Sequence, residues 1–173
     1  MRSRLLASTG GLRTHVVVFE AGDDAVAGLG EFATGARLAG ASFTAIGGFR
    51  RAVVGWFDVE ARDYRPIEVE EQVEVLSLVG DVTTPGPESD SSERTVHVHA
   101  VLGRRDGSTV GGHLLEAIVR PTLEVVVSET PGHLQRRRDP ATGLALIDLI
   151  DAEPPHHAHR AAHGGPSDDP NRS

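Results

Sequence analysis

Two histidines one residue apart, in Thr95-Val96-His97-Val98-His99-Ala100, carry the strongest chemical signal in the chain. The run is rich in β-branched residues, and side chains on a strand alternate faces, so both imidazoles stand on one side, roughly 6.6 to 7 Å apart along it. One metal ion is within reach of both. A third candidate, His113, follows in Gly111-Gly112-His113. Three neutral imidazoles at about 2.0 to 2.1 Å suit Zn²⁺, with iron, nickel and copper as further fits, and leave a fourth position for water or a ligand. The plainer reading is three strand histidines held by ordinary hydrogen bonds.

Whether His113 joins the other two depends on the turn at Arg105-Asp106-Gly107. A two-residue Asp106-Gly107 turn would place Leu114 opposite His99 and send His113 to the other face. A three-residue loop, with Gly107 in the left-handed position of a bulge, pairs Arg104 with Ser108 and His99 with His113. In that register the imidazoles converge, and Gly111 and Gly112 are expected to keep bulk away from them.

Composition removes several other chemistries. The 173 residues include no cysteine, and all 17 basic residues are arginine. Disulfides, thiolate ligands and lysine Schiff bases are therefore excluded. A net charge of −8 disfavours general affinity for phosphate backbones, so any DNA contact has to be local. Arg136-Arg137-Arg138 is the candidate for such a contact. The start of the chain lacks the apolar run of a signal peptide, and no stretch reaches 18 apolar residues. The reading is a cytoplasmic protein without a membrane partner.

The elements that must position the histidines can be read along the chain. Residues 1–12 read as an N-terminal extension, 13–150 as one domain, and 151–173 as a disordered tail rich in His, Pro and Asp. Thr14 to Glu20 is a buried strand, and Asp24 to about Ala39 an amphipathic helix ended by Gly40. Ala41 to Phe49 and Ala52 to Val59 read as two strands joined through Gly47-Gly48-Phe49-Arg50-Arg51. Ile67 to Gly80 supplies one or two more, with Glu74, Leu76 and Leu78 on a common face. Glu74 there either fixes the tautomer of a metal-bound histidine or faces water. Pro85 to Arg94 is a polar loop. Thr109 to Val119 is the return strand, broken by Arg120-Pro121-Thr122 before a buried strand at Leu123 to Val127. Glu129 to Asp139 is a turn-rich connection, and Leu144 to Leu149 closes the core.

The order of motifs resembles the PPC (plants and prokaryotes conserved) domain family. The resemblance rests on a strand-then-helix opening and on Ser42-Phe43-Thr44-Ala45-Ile46-Gly47-Gly48, Glu74-Val75-Leu76-Ser77-Leu78-Val79-Gly80, His97-Val98-His99-Ala100-Val101-Leu102, Gly111-Gly112-His113-Leu114-Leu115-Glu116-Ala117 and Pro121-Thr122-Leu123-Glu124-Val125. It implies an α+β fold, a mainly antiparallel sheet flanked by one or two helices, assembled as a homotrimer. Prokaryotic members resemble metal-containing proteins, and the residues matching their ligand pattern are His97, His99 and His113. In the plant members DNA contact resembles the work of a separate basic AT-hook with an Arg-Gly-Arg-Pro core, which this sequence lacks.

Three functions are compatible with these residues. A trimeric module could hold a divalent metal, zinc first, with a small anionic or carbonyl ligand at the open position. A metal-dependent hydrolase or lyase would add Glu74 or Glu124 as the group that moves protons. A DNA-associated regulator would work through protein partners and Arg136 to Arg138.

Overall fold

A computed structural model describes residues 1–86 and 93–149 of the chain. Nine strands and one α-helix are found among them, in the order β1 (Arg2–Thr9), β2 (Leu12–Glu20), α1 (Ala25–Gly35), β3 (Gly40–Asp58), β4 (Asp63–Val69), β5 (Val73–Thr83), β6 (Thr95–Gly103), β7 (Thr109–Glu129), β8 (Gln135–Arg138) and β9 (Ala145–Asp148). Strands β1 to β7 form one antiparallel sheet in the order β1-β2-β7-β6-β5-β3-β4, and β8 and β9 form a separate hairpin. Because β3 also pairs with β7, each of β3, β5, β6 and β7 bonds to two others of that set. This part of the sheet closes into a ring.

The ring is filled by inward-facing side chains. Val98, Ala100 and Leu102 of β6 are at most 3% exposed, as are Phe43, Phe49 and Val54 of β3 and Leu123, Val125 and Val127 of β7. Helix α1 contributes Leu29, Phe32 and Ala33 to the same core. Asp24 caps it, its carboxylate accepting from the Val26 and Ala27 amides at 3.0 Å, which satisfies two donors that the first turn leaves unpaired. The helix stops before the expected Gly40, because Arg37 takes a left-handed conformation (φ +53°). Gly40 instead opens β3.

Several sequence expectations are corrected by pairing across the sheet. The expected break at Gly47 to Arg51 is absent. β3 is one 19-residue strand whose irregularities are absorbed as register shifts against β7. Nor does Pro121 interrupt β7, whose Arg120–Pro121 peptide is cis. On the β3 side residues 120 to 122 fall in the register shift opposite Gly48, and on the β2 side the pairing ends at Thr122, so Pro121, without an N–H, costs no ladder bond. The expected N-terminal extension forms β1, an exposed edge strand paired to β2. Leu144 to Leu149 does not close the core: Leu146, Ile147 and Leu149 are 41 to 72% exposed around β9. The expected tail, 151–173, lies outside the described residues.

Candidate metal centre

The β6–β7 hairpin takes the three-residue loop. The Arg104 amide donates to Ser108 O at 2.8 Å, the Gly107 amide donates to Arg104 O at 3.0 Å, and Gly107 has φ +85°. His99 therefore pairs with His113, and Ala100 with Gly112. Since Val98, Ala100 and Leu102 point inward, His97 and His99 point outward, and the three imidazoles meet on the outer surface of the ring. Ring centroids are 5.1 Å apart for His97 and His99, 5.0 Å for His97 and His113, and 5.3 Å for His99 and His113. One nitrogen from each ring lies within 4.8 Å of the others.

Gly111 and Gly112 do not clear space for the rings, as the sequence had suggested. A Cβ on Gly111 would come 2.7 Å from Ala100 O, and one on Gly112 would come 2.6 Å from Gly55 O. These glycines let neighbouring backbones approach, which brings His113 close to β6.

The donor set fits a metal. His97 Nε2 and His99 Nε2 are 3.3 Å apart, and two nitrogens each about 2.0 to 2.1 Å from a tetrahedral ion lie about 3.3 to 3.4 Å apart. The buried Nδ1 of His113 has no hydrogen-bond partner in the protein. Burial, then the neighbouring His97 and His99 and the charge of Arg136, push His113 down to about 4. Burial and Arg136 lower His97 as well, against an opposing contribution from Asp81. Rings that resist protonation keep their lone pairs for a cation.

Three further residues surround the histidines: Asp81 and Tyr64, which the sequence did not point to, and Arg136, which it offered only as a DNA contact. Asp81 is the register partner of His97, with Oδ2 3.6 Å from His97 Nδ1. Arg136 of β8 is 9% exposed. Its Nη2 donates to both Asp81 oxygens at 2.8 and 2.9 Å and lies 3.2 Å from His97 Nδ1. Tyr64 of β4 stacks on His113 at 4.6 Å with 20° between the ring planes. Gly55, opposite His113 in β3, leaves room for the Tyr64 ring, since a Cβ there would come 2.8 Å from Tyr64 Cδ1.

The carboxylates singled out in the sequence lie elsewhere. Glu74 pairs with Gly103, four residues beyond His99 on β6 and so roughly 13 Å along the strand. A bulge between Val75 and Ser77 also breaks the alternation: Leu76 is 56% exposed and Leu78 is 1% exposed. Glu124 sits on the far half of β7, between Val18 and Ile46. The arginine run is divided among different contacts. Arg136 is bound to Asp81, Arg137 forms an ion pair with Asp148 at 2.8 Å, and Arg138 is exposed at the end of β8. No helix among the described residues is long and apolar enough to cross a membrane.

Comparison with solved structures finds the same fold in other organisms. A metal-containing protein from Archaeoglobus fulgidus is 31% identical, with a TM-score of 0.71 over 86% of this chain and 99% of that one. A plant- and prokaryote-conserved protein from Pyrococcus horikoshii is 27% identical, with a TM-score of 0.72 over 83% and 99% of the two chains. One from Bacteroides thetaiotaomicron, described as a "putative DNA binding protein", is 25% identical, with a TM-score of 0.73 over 84% and 96%. No curated protein matches in sequence. The model of the Plants and Prokaryotes Conserved domain, abbreviated PCC or PPC, matches residues 6–131, the segment that contains all three histidines, and the chain therefore belongs to that family.

Proposed function

We propose that this PPC-domain protein holds one divalent metal ion, zinc by preference, through His97, His99 and His113, and offers the remaining coordination position to a small anionic or carbonyl ligand. The observation that carries the reading is the convergence of three ring nitrogens within 4.8 Å on one outward face, with the His97 and His99 nitrogens at the separation a tetrahedral ion requires. A metal so held would supply positive charge to polarise a ligand oxygen. The chain's own residues do the rest: Tyr64 walls the site on the His113 side, and Asp81 and Arg136 border His97.

Catalysis is the lesser reading, because Glu74 and Glu124 are not at the site and Asp81 is engaged by Arg136. DNA association is favoured only by the names of two structural neighbours. It runs against the chain's net charge and the pairing of Arg136 and Arg137.

Assembly as a homotrimer is part of the proposal. A transverse row on the outer face, Val16, Val126, Thr44, Val79 and His99, is defined by successive strand pairings. Val126 and Val79 are 45 and 49% exposed, and nearby Ile46 is 64% exposed. Apolar area of this kind is what copies of one chain cover when they associate.

The direct test is elemental analysis of the full chain with His156, His157, His159 and His163 replaced by glutamine, so that the tail cannot contribute metal. About one zinc per chain is expected. His97→Ala in the same background should remove it. Full zinc content in that variant, or none in its parent, sinks the reading.

A further inference from the structure

Resting on that reading, we propose that Asp81 is the positioning residue for His97, and that Arg136 competes with metal ligation for the other side of the same ring. The β8–β9 hairpin, which carries Arg136, then becomes the element that responds to metal.

An imidazole nitrogen either donates a hydrogen bond or accepts one. Arg136 is always a donor, and its Nη2 lies 3.2 Å from His97 Nδ1. In that contact Nδ1 accepts, which leaves the proton of the neutral ring on Nε2, the nitrogen that faces His99. A His97 that gives Nε2 to a cation must carry its proton on Nδ1 instead. Nδ1–H and the Arg136 N–H would then confront each other as two donors. The acceptor within reach is Asp81 Oδ2, 3.6 Å away and already shared with Arg136.

Of the two partners, Arg136 is the one able to yield. Asp81 is fixed opposite His97 by the β5–β6 ladder inside the closed ring. Arg136 stands on a four-residue strand in a separate two-stranded sheet. That hairpin is held through Leu134, whose O accepts from the Thr84 amide and hydroxyl at 2.7 and 2.9 Å and whose amide donates to Ala39 O at 3.0 Å, and through the Arg136–Asp81 pair itself. The remaining guanidinium bond, Nη1 to Ala145 O at 2.6 Å, lies within the hairpin and travels with it. Loading the site therefore moves the His97 proton toward Asp81 and withdraws one of the attachments that dock residues 135–148.

The test uses zinc alone as the probe, on the full chain with the four tail histidines replaced. Amide hydrogen exchange is followed over 133–149, and zinc affinity is measured for Asp81→Asn, Arg136→Gln and Arg136→Lys. Zinc is expected to speed exchange across β8 and β9 in the parent and to leave it unchanged in Arg136→Gln, whose hairpin is already released. Asp81→Asn should weaken zinc about tenfold, and both Arg136 variants should tighten it several-fold. The lysine variant keeps the charge but loses the planar fork, so parental affinity there would mean that only charge repulsion is at work, and would overturn the competition. Exchange that zinc slows or leaves unaltered in the parent would overturn it too. If the parent binds no zinc at all, the metal reading itself fails and takes this inference with it. If zinc binds and only the Arg136 and Asp81 results are flat, the metal reading stands without it.

Discussion

His99 and His113 face each other across the β6–β7 ladder, and their alignment depends on the left-handed conformation of Gly107 two strand ends away. A Cβ at Gly107 would meet no atom within 4 Å, so any penalty for a side chain there is backbone strain and not crowding. Gly107→Val should lower the unfolding free energy by about 1 to 3 kcal/mol, whereas Gly107→Asn, which tolerates that conformation, should cost well under half as much. Urea unfolding of the two variants decides it. Equal losses would mean that the turn does not depend on φ at this residue.

In the metal-free protein, acid should weaken the fold through the same histidines. With His113 held down to about 4 against an ordinary 6.5, and His97 also lowered, the unfolded chain binds protons that the folded chain refuses. Stability then falls as pH drops from about 6.5 toward 4, and the loss is complete once the folded-state value is passed. His113→Gln should flatten that part of the stability profile. An NMR titration in which the His113 ring shifts with a midpoint near 6.5 would contradict this.

The hairpin was legible because its information is local. Turn length, Gly107 and the two-residue period of the side chains are all contained in 97–113, and together they determine which imidazoles meet. Asp81 and Arg136 were not legible, for a physical reason. They reach His97 through the β5–β6 register and through the docking of a separate hairpin, and neither the Pro85 to Arg94 connection nor the Glu129 to Asp139 segment encodes its own landing place. Glu74 misled because alternation was extended through Leu76, where a bulge changes the face. The continuity of β3 and β7 was hidden in the same way, since glycine and proline weaken a lone strand but are accommodated where the partner strand shifts register.

Glu129 anchors the opposite end of β7 from the histidines. It is 5% exposed, accepts from Arg13 Nη2 at 2.9 Å and from the Ala39 amide at 3.1 Å, and also forms the Arg13 Nε ion pair. Burial alone would raise its carboxyl, but the Arg13 and Ala39 hydrogen bonds and the Arg13 charge outweigh it, so the net shift is downward. Its contribution is present above the ordinary carboxylate range and is lost as pH falls through the depressed value. Glu129→Ala, which leaves the half-exposed Arg13 and the Ala39 amide without their acceptor, should cost about 1 to 3 kcal/mol. Chemical denaturation near neutral pH measures it. A loss below about 1 kcal/mol would show that the pair behaves as an exposed one.

Val126 offers a way to separate assembly from metal binding. It lies on the apolar outer row but is separated from His99 by Thr44 and Val79, so a charge placed there spoils the face without touching a ligand. Its 45% exposure means that Val126→Arg requires no repacking of the core. If copies associate through this row, an arginine on every copy brings like charges together at the contact, a cost of several kcal/mol per interface. Sedimentation should then give the parent a mass three times that of the 18.3 kDa chain and the variant a mass near one chain, with zinc content unchanged. A variant that keeps the parental mass would place the interface elsewhere. One that loses mass and zinc together would mean that a neighbouring copy completes the site.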